Sequence, residues 1–528
     1  MLKFKNSITL LFLFGQLMAQ VTLIKDISPG PRGSFNYSLS KVVNDKCYFV
    51  ADDNKNGDEI WITDGTSAGT KLVKNLYPGS ETCDPKAFGT NSNKLFFIAN
   101  DSIHGWELWS TSGEEATTQL IFESIPGTSS STISIPFYDN ETFVKIDDKI
   151  YFVLNFNELY ESDGTPTGTK SILKFNSINK LIAHEDKIYF SGNKKIFEDS
   201  IFIYDPKTSI TSSIKTVLRN PNNLISTPFG IIFNTGNQLH VYNSQAKAIE
   251  EVTPNIPIQS YKYSPNFAFY KGHYYIVAIA ASGLKPVLLK INGKSNGTEV
   301  ILNNAKDNFS TYGYFIAEGE YLYYLYNADS NSPLELWRTD GTTSGFLKLG
   351  EYKSTSLGFI SASKNIVGYN GKIYYFGDNG NSIGLYESNG TISGTKQLEQ
   401  ISDFMVSSQI TTGLILLGNT LIFSADYGDK NLGQELYSYE LPIKTSISDK
   451  KTVEELNLFP NPIDDKLYYG NAEIIEKMEL YDLNGKCIKR QTNITPGSYV
   501  TTNDLNSGVY LARCYFNGKV LTKSFVKR

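Results

Sequence analysis

Glu59-Ile60-Trp61-Ile62-Thr63-Asp64-Gly65-Thr66-Ser67-Ala68-Gly69-Thr70 is the stretch that decides the fold. Ile60 to Thr63 are β-branched or aromatic and suit a pleated, half-buried strand. Asp64-Gly65 then turns the chain: an aspartate can bond the backbone ahead of it, and glycine supplies positive φ. The pattern returns as Glu335-Leu336-Trp337-Arg338-Thr339-Asp340-Gly341-Thr342 with Gly345. It returns in shorter form as Glu158-Leu159-Tyr160-Glu161-Ser162-Asp163-Gly164-Thr165 and as Leu385-Tyr386-Glu387-Ser388-Asn389-Gly390-Thr391. Glu107-Leu108-Trp109-Ser110-Thr111 keeps the first half and loses the Asp-Gly. Asp-Gly and Asn-Gly make hairpin turns for purely local reasons. The expected role of Glu59, Asp64, Gly65, Glu107, Asp163, Gly164, Glu335, Asp340, Gly341, Asn389 and Gly390 is therefore structural. Trp61, Trp109 and Trp337 share one repeat position and are expected to pack between repeats.

A second repeated feature runs alongside. Short aliphatic-aromatic runs centre on Tyr48, Phe96, Tyr151, Tyr189, Ile232, Tyr275, Tyr323, Tyr374 and Ile422, so by subtraction they lie 38 to 55 residues apart. Periods near 40–50 residues with several short strands each match propeller blades. In one repeat the strands are expected at 46–51, 59–63, 71–75 and, weakly, 86–89. Asp205-Pro206 and Asn292-Gly293 stand where Asp-Gly is expected in the middle repeats. Val21 to Gly30 matches Thr70 to Gly79, the second half of a repeat, whereas the last repeat stops at Tyr439 without that half. The N-terminal strand is thus expected to complete the last blade and leave no free sheet edge. The fold class that follows is all-β: a single β-propeller of eight or nine four-stranded blades over residues 21–441.

The repeated residues resemble the ELWxxDGT repeat family of exported bacterial proteins. Residues 1–20 read as a secretory signal: Lys3 and Lys5, an apolar Ile8 to Gly15, then cleavage between Ala19 and Gln20. No stretch is apolar for long enough to serve as a transmembrane segment. Residues 442–455 are polar and read as a linker that leaves few side chains to pack across it. Beyond it a different pattern begins, with Phe459-Pro460-Asn461-Pro462, Leu480-Tyr481-Asp482-Leu483-Asn484-Gly485-Lys486, Asp504-Leu505 followed by Gly508-Val509-Tyr510, and a basic end. Alternating short strands and Asn-Gly turns predict a small C-terminal β-sandwich over 456–528. These motifs closely resemble the type A C-terminal sorting domain of the Bacteroidetes type IX secretion system. The resemblance implies Sec export, the type IX machinery as a partner through residues 456–528, and a processed protein on the cell surface or released.

The chain has 528 residues and a formal charge of −5, which offers no basic excess to neutralise phosphates and argues against nucleic acid as a partner. Cys47, Cys83, Cys487 and Cys514 show no zinc-like spacing; export would permit a Cys487–Cys514 bridge. His104, His184, His240 and His273 share no motif. A calcium site would need denser carboxylates than the repeated aspartates supply. A sialidase-type aspartate box would place its aromatic after the glycine, whereas Trp61 and Trp337 precede it. No catalytic residue, metal ligand or cofactor is nominated. Trp106 lies outside the repeated position and is the one candidate ligand contact. The expected function is a non-enzymatic binding or adhesion module for an extracellular glycan or protein. The alternative is a secreted enzyme acting on an extracellular polysaccharide or peptide.

Overall fold

The computed structural model describes residues 21–35, 39–123, 126–127, 143–194, 199–214, 220–253, 258–261, 267–280, 286–294, 297–302, 312–327, 333–353, 366–380, 382–403, 413–427, 432–442, 458–459, 463–469, 475–482, 486–495, 498–516 and 519–528. The candidate cleavage site at Ala19-Gln20 and most of the 442–455 linker lie outside them. Among the described residues the regular elements are strands, with one 3₁₀ turn at Glu115–Thr117. None of their helices is long and apolar enough to cross a membrane.

Among the described residues nine antiparallel sheets succeed one another up to Glu440. The first holds Ser40–Val43, Lys46–Asp52, Asp58–Thr63 and Lys71–Lys74, hydrogen-bonded in that order. The other four-stranded sheets repeat this meander. In the sixth the first strand is split: Ile258–Tyr261 and Phe267–Tyr270 both pair with His273–Ala280. First strands of successive sheets touch, as Ser40–Val43 does Lys86–Thr90, and Val144–Ile146 does Ser177–His184. Ser177–His184 meets Pro221–Thr227 in turn, and Phe267–Tyr270 meets Tyr312–Glu318. The inner edges thus succeed one another and the sheets stack face to face, a propeller-like arrangement.

Alternation along each strand explains the stacking. Tyr48, Val50, Ile60 and Ile62 of the first sheet share one apolar cluster with Leu95, Phe97 and Trp109 of the second. Cys47, Phe49, Ala51 and Trp61 point the other way, against Ile415, Leu417, Ile422 and Leu436 of the ninth sheet. A second strand buried on both faces reads as an unbroken apolar run, which is why these runs marked the repeat so clearly. The first strand joins the last of these sheets. There Val21–Lys25 pairs antiparallel with Glu435–Glu440, Val21 opposite Tyr439 and Leu23 opposite Tyr437.

The sequence-based strand assignment needs one correction. The aliphatic-aromatic run is the second strand of each sheet, not the first, and Lys86–Thr90 opens the second sheet instead of ending the first. The true first strand, Ser40–Val43, is short and largely exposed, so it carries little hydrophobic signal.

The C-terminal region has two further sheets. One holds Leu458–Phe459, Lys466–Tyr469 and Tyr499–Thr501; the other holds Ile475–Tyr481, Cys487–Ile494, Gly508–Phe516 and Lys519–Lys527. Leu458, Leu467, Tyr469, Met478, Leu480, Val500 and Phe525 form one core between them. Cys487 is an exposed free thiol and Cys514 a buried one; they flank Ile475–Tyr481 from opposite sides and do not bridge. Lys466 reaches across to Glu185, on the turn between the first two strands of the fourth sheet, and its ammonium lies 4.3 Å from the Tyr499 ring centre.

Candidate functional site

The repeated Asp-Gly-Thr forms a closed local network. Asp64 Oδ1 accepts from the Thr66 N–H at 2.9 Å and from its hydroxyl at 2.7 Å, and Thr66 Oγ1 accepts from Gly69 N–H at 2.9 Å. Asp163 does the same with Thr165, Asp340 with Thr342, and Asn389 with Thr391. These bonds hold the Asp64, Asp163 and Asp340 carboxyls below the usual aspartate range. A hydroxyl pair closes the loop base, Thr63 to Thr70 at 2.7 Å and Ser162 to Thr169 at 2.7 Å. Thr111 and Thr118 form the same pair at 2.8 Å, so the second repeat keeps the loop although its Asp-Gly is Ser112-Gly113. The glycines Gly65, Gly113, Gly164, Gly341 and Gly390 back onto the preceding sheet. At Gly390 (φ +84°) a Cβ would lie 2.2 Å from the Tyr321 ring; at Gly341 (φ +95°) it would lie 2.7 Å from Tyr275 Oη.

The repeated glutamate works at the opposite end of its strand. Glu59 is fully buried and accepts from the backbone N–H of Leu76 at 3.1 Å and of Tyr77 at 3.0 Å, clamping the chain as it leaves the sheet. Glu435 makes the equivalent clamp on Ile27 and Ser28, and also takes the Ser34 hydroxyl. Burial lifts both carboxyls to about 7, with the donated N–H groups pulling the other way. Glu107 is fully buried at the same position. Glu335 differs: it takes the Trp337 indole N–H at 2.8 Å and Lys348 Nζ at 2.5 Å.

Trp61 and Trp109 are each 6 % exposed, and Trp337 is half-buried against the cluster around Tyr275 and Tyr324. Trp106 is half-buried, with Lys86 Nζ 3.8 Å from its ring centre and its indole N–H 3.3 Å from the Asp84 carbonyl. His104 Nδ1 lies 2.6 Å from Asp101 Oδ2, a bond that raises the imidazole pKa. Its loop position matches Asn56, which bonds Asp53 in the preceding repeat. His184 and His240 are buried and pushed down by desolvation, His184 to about 4. The structure scatters these groups. Among the described residues no three His, Cys, Asp or Glu side chains converge to hold a metal ion.

What does converge is a cavity of about 400 Å³ among the first strands of the first six sheets. Lys41, Phe88, Lys145, Lys180, Leu224 and Phe267 are its contributions from those sheets in order. Several of these strands are irregular where they line it. Pairing skips between Ile178 and Leu181, so Asn179 and Lys180 are inserted opposite Ser191; Asn223 and Leu224 are inserted opposite Phe233 in the same way. In the second sheet Ala87 is the extra residue. Ala87 (φ +51°) and Asn223 (φ +60°) sit in the left-handed region. Such bulges re-aim side chains and collect beside functional sites. Sequence reasoning missed the three lysines because they stand on short strands that carry no repeated motif.

Residues 457–528 match the family model described as the secretion system C-terminal sorting domain. This domain directs secretion through the type IX system to the cell surface. No curated protein matches the chain. Among solved structures, one from a study of two prolyl endopeptidases is similar at 9% identity and TM-score 0.40, over 76% of this chain and 55% of that one. Porphyromonas gingivalis dipeptidyl peptidase 4 matches at 12% identity and TM-score 0.37, over 75% of this chain and 56% of its own. The β-propeller domain of the Trilobed protease from Pyrococcus furiosus matches at 12% identity and TM-score 0.31, over 68% and 96%. This chain therefore spans little more than half the length of the two peptidases.

Proposed function

We propose that the protein is a cell-surface binding module, non-enzymatic, whose ligand enters the cavity between the inner strands. Its architecture in this reading is one closed propeller of nine blades over residues 21–441 and a linker over 442–455. A sorting sandwich over 456–528 follows, and a signal peptide ends at Ala19-Gln20. The repeat is that of the ELWxxDGT family, and its Asp, Gly, Glu and Trp residues serve the scaffold. The observation that carries the reading is the bulged, lysine-bearing cavity: six inner strands bring side chains to one concave place. The repeated motif itself spends its polar groups on local turns and backbone clamps.

The test applies the purified chain to a glycan array and a panel of extracellular proteins, with hydrolysis of each bound species followed in parallel. Saturable binding without turnover supports the module. Turnover of a polysaccharide or peptide would establish the enzyme instead. A Trp106→Ala variant tested alongside reports whether that indole touches the ligand.

A further inference from the structure

We infer that the outward face of the sorting domain's four-stranded sheet docks on the secretion machinery, and that the partner surface there is acidic with an apolar contact beside it. The register gives this face. Glu479 stands opposite Arg490 on one side and Arg513 on the other, Lys477 stands opposite Tyr515, and Val509 opposite Val526. The alternate residues Met478, Leu480, Ala512, Cys514 and Phe525 fill the core, so the period of two turns the first set outward. The two sheets divide the work. Lys466 and Tyr499, which meet Glu185 of the repeats, belong to the three-stranded sheet. The four-stranded sheet instead carries two opposed valines, Val509 at 43 % exposure and Val526 at 39 %. The matched domain directs secretion through the type IX system, which makes that machinery the occupant.

Glu479 is only 2 % exposed although it faces outward, because its neighbours close over it. Its Oε2 accepts from the hydroxyls of Tyr481 and Tyr515, each at 2.7 Å. Its Oε1 lies 2.7 Å from Arg490 Nη2 and 3.2 Å from Lys477 Nζ. Lys477 Nζ in turn lies 3.8 Å from the Tyr515 ring centre, and the Arg513 guanidinium 5.0 Å from that of Tyr481. One carboxylate thus fixes two tyrosines and two cations in place, which lowers the cost of ordering them when a partner arrives. Arginine and tyrosine are the side chains that most often anchor protein interfaces. Lys477, Arg490 and Arg513 against Glu479 leave a surplus of positive charge in this network, which carboxylates of the partner complement. The two exposed valines beside it call for an apolar contact.

The test follows the full chain in a host with the type IX system, as the fraction that reaches the outer surface or the medium. Arg490→Gln/Arg513→Gln removes the surplus charge without setting a second carboxylate against Glu479, and Val509→Asp spoils the apolar contact. Each is expected to cut export at least about tenfold, with Arg490→Lys/Arg513→Lys retaining most of it. Lys486→Gln/Lys523→Gln makes an equal change of charge off this face and is expected to export normally. Unchanged melting temperatures would show that the variants fold; if the double Arg→Gln chain melts early, Val509→Asp, at an exposed position, decides in its place. Overproduced full chain is also expected to slow export of a second cargo of the system, whereas the double Arg→Gln chain, unable to dock, is not. Normal export of the double Arg→Gln variant would overturn the inference, whether the face then proves to bind phosphatidylglycerol vesicles or a second copy of the chain. An equal loss in the Lys486 and Lys523 control, or a retained double Arg→Gln chain that still competes, would overturn it too.

Discussion

The backbone N–H of Ile27 donates to Glu435 Oε2 at 2.9 Å across 408 positions of chain. With the neighbouring bond from Ser28 at 3.2 Å, one buried carboxylate fastens the first strand to the last sheet. Replacing Glu435 by Ala leaves those N–H groups buried without their acceptor. The expected cost is about 2–3 kcal/mol in urea unfolding. Deleting residues 21–30 removes the outer strand as well, exposes Glu435–Glu440 as a free edge, and should produce aggregation visible in light scattering.

The two glutamate clamps also predict a pH dependence. Glu59 and Glu435 are lifted by burial from 4.5 to about 7. A carboxyl with a raised folded-state pKa binds its proton more tightly in the folded chain. Its stabilising contribution is complete below about pH 4.5, shrinks as pH rises, and is gone above pH 7. Stability should therefore fall between about pH 4.5 and pH 7, by up to about 3 kcal/mol per glutamate. Gln at both positions keeps an acceptor and cannot ionise, so the double variant should show a flatter profile. A parallel fall in the variant would reject these two groups as the cause.

Trp61 and Trp109 each fill the space between two sheets, and truncation to Ala should cost about 3–5 kcal/mol apiece. Trp337 is half-buried and should cost less. Thermal melts rank the three, and equal, negligible losses would refute the packing role. Gly390→Ala combines a left-handed backbone with a Cβ forced into the Tyr321 ring, and should destabilise more than Thr391→Ala in the same loop.

How much of this was legible in the sequence follows from the range of each interaction. The Asp-Gly-Thr loop was readable because Asp64 bonds a residue two positions on. The pairing of Val21–Lys25 with Glu435–Glu440 was readable because a half-repeat stands at each end. The clamp role of Glu59 was not, since its partners lie 17 and 18 positions away and are backbone groups. The sequence left the count open between eight and nine because the runs are unevenly spaced, 55 residues from Phe96 to Tyr151 and 38 from Tyr151 to Tyr189 by subtraction, and the middle repeats lose most of the motif. Lys41, Lys145 and Lys180 were invisible for a different reason. They sit 104 and 35 positions apart by subtraction, and the succession of first strands brings them to one cavity.

The last prediction concerns residues 457–528, the matched sorting domain. Its own core closes between its two sheets, and Lys466 with Glu185 is a charged contact between it and the repeats. Removing the domain leaves Glu185 with the Ser244 hydroxyl at 2.8 Å and leaves the ninth sheet complete. The truncated chain should therefore fold, with a melting temperature close to that of the full chain. In a host with the type IX system it should accumulate inside the outer membrane, protected from added protease. Grafting 457–528 onto an unrelated exported reporter should carry that reporter to the outside. Glu185→Ala should leave export unchanged, because the contact belongs to the packing of the two parts and not to recognition by the machinery. A truncated chain that reaches the surface in normal amounts would place the export signal elsewhere in the molecule.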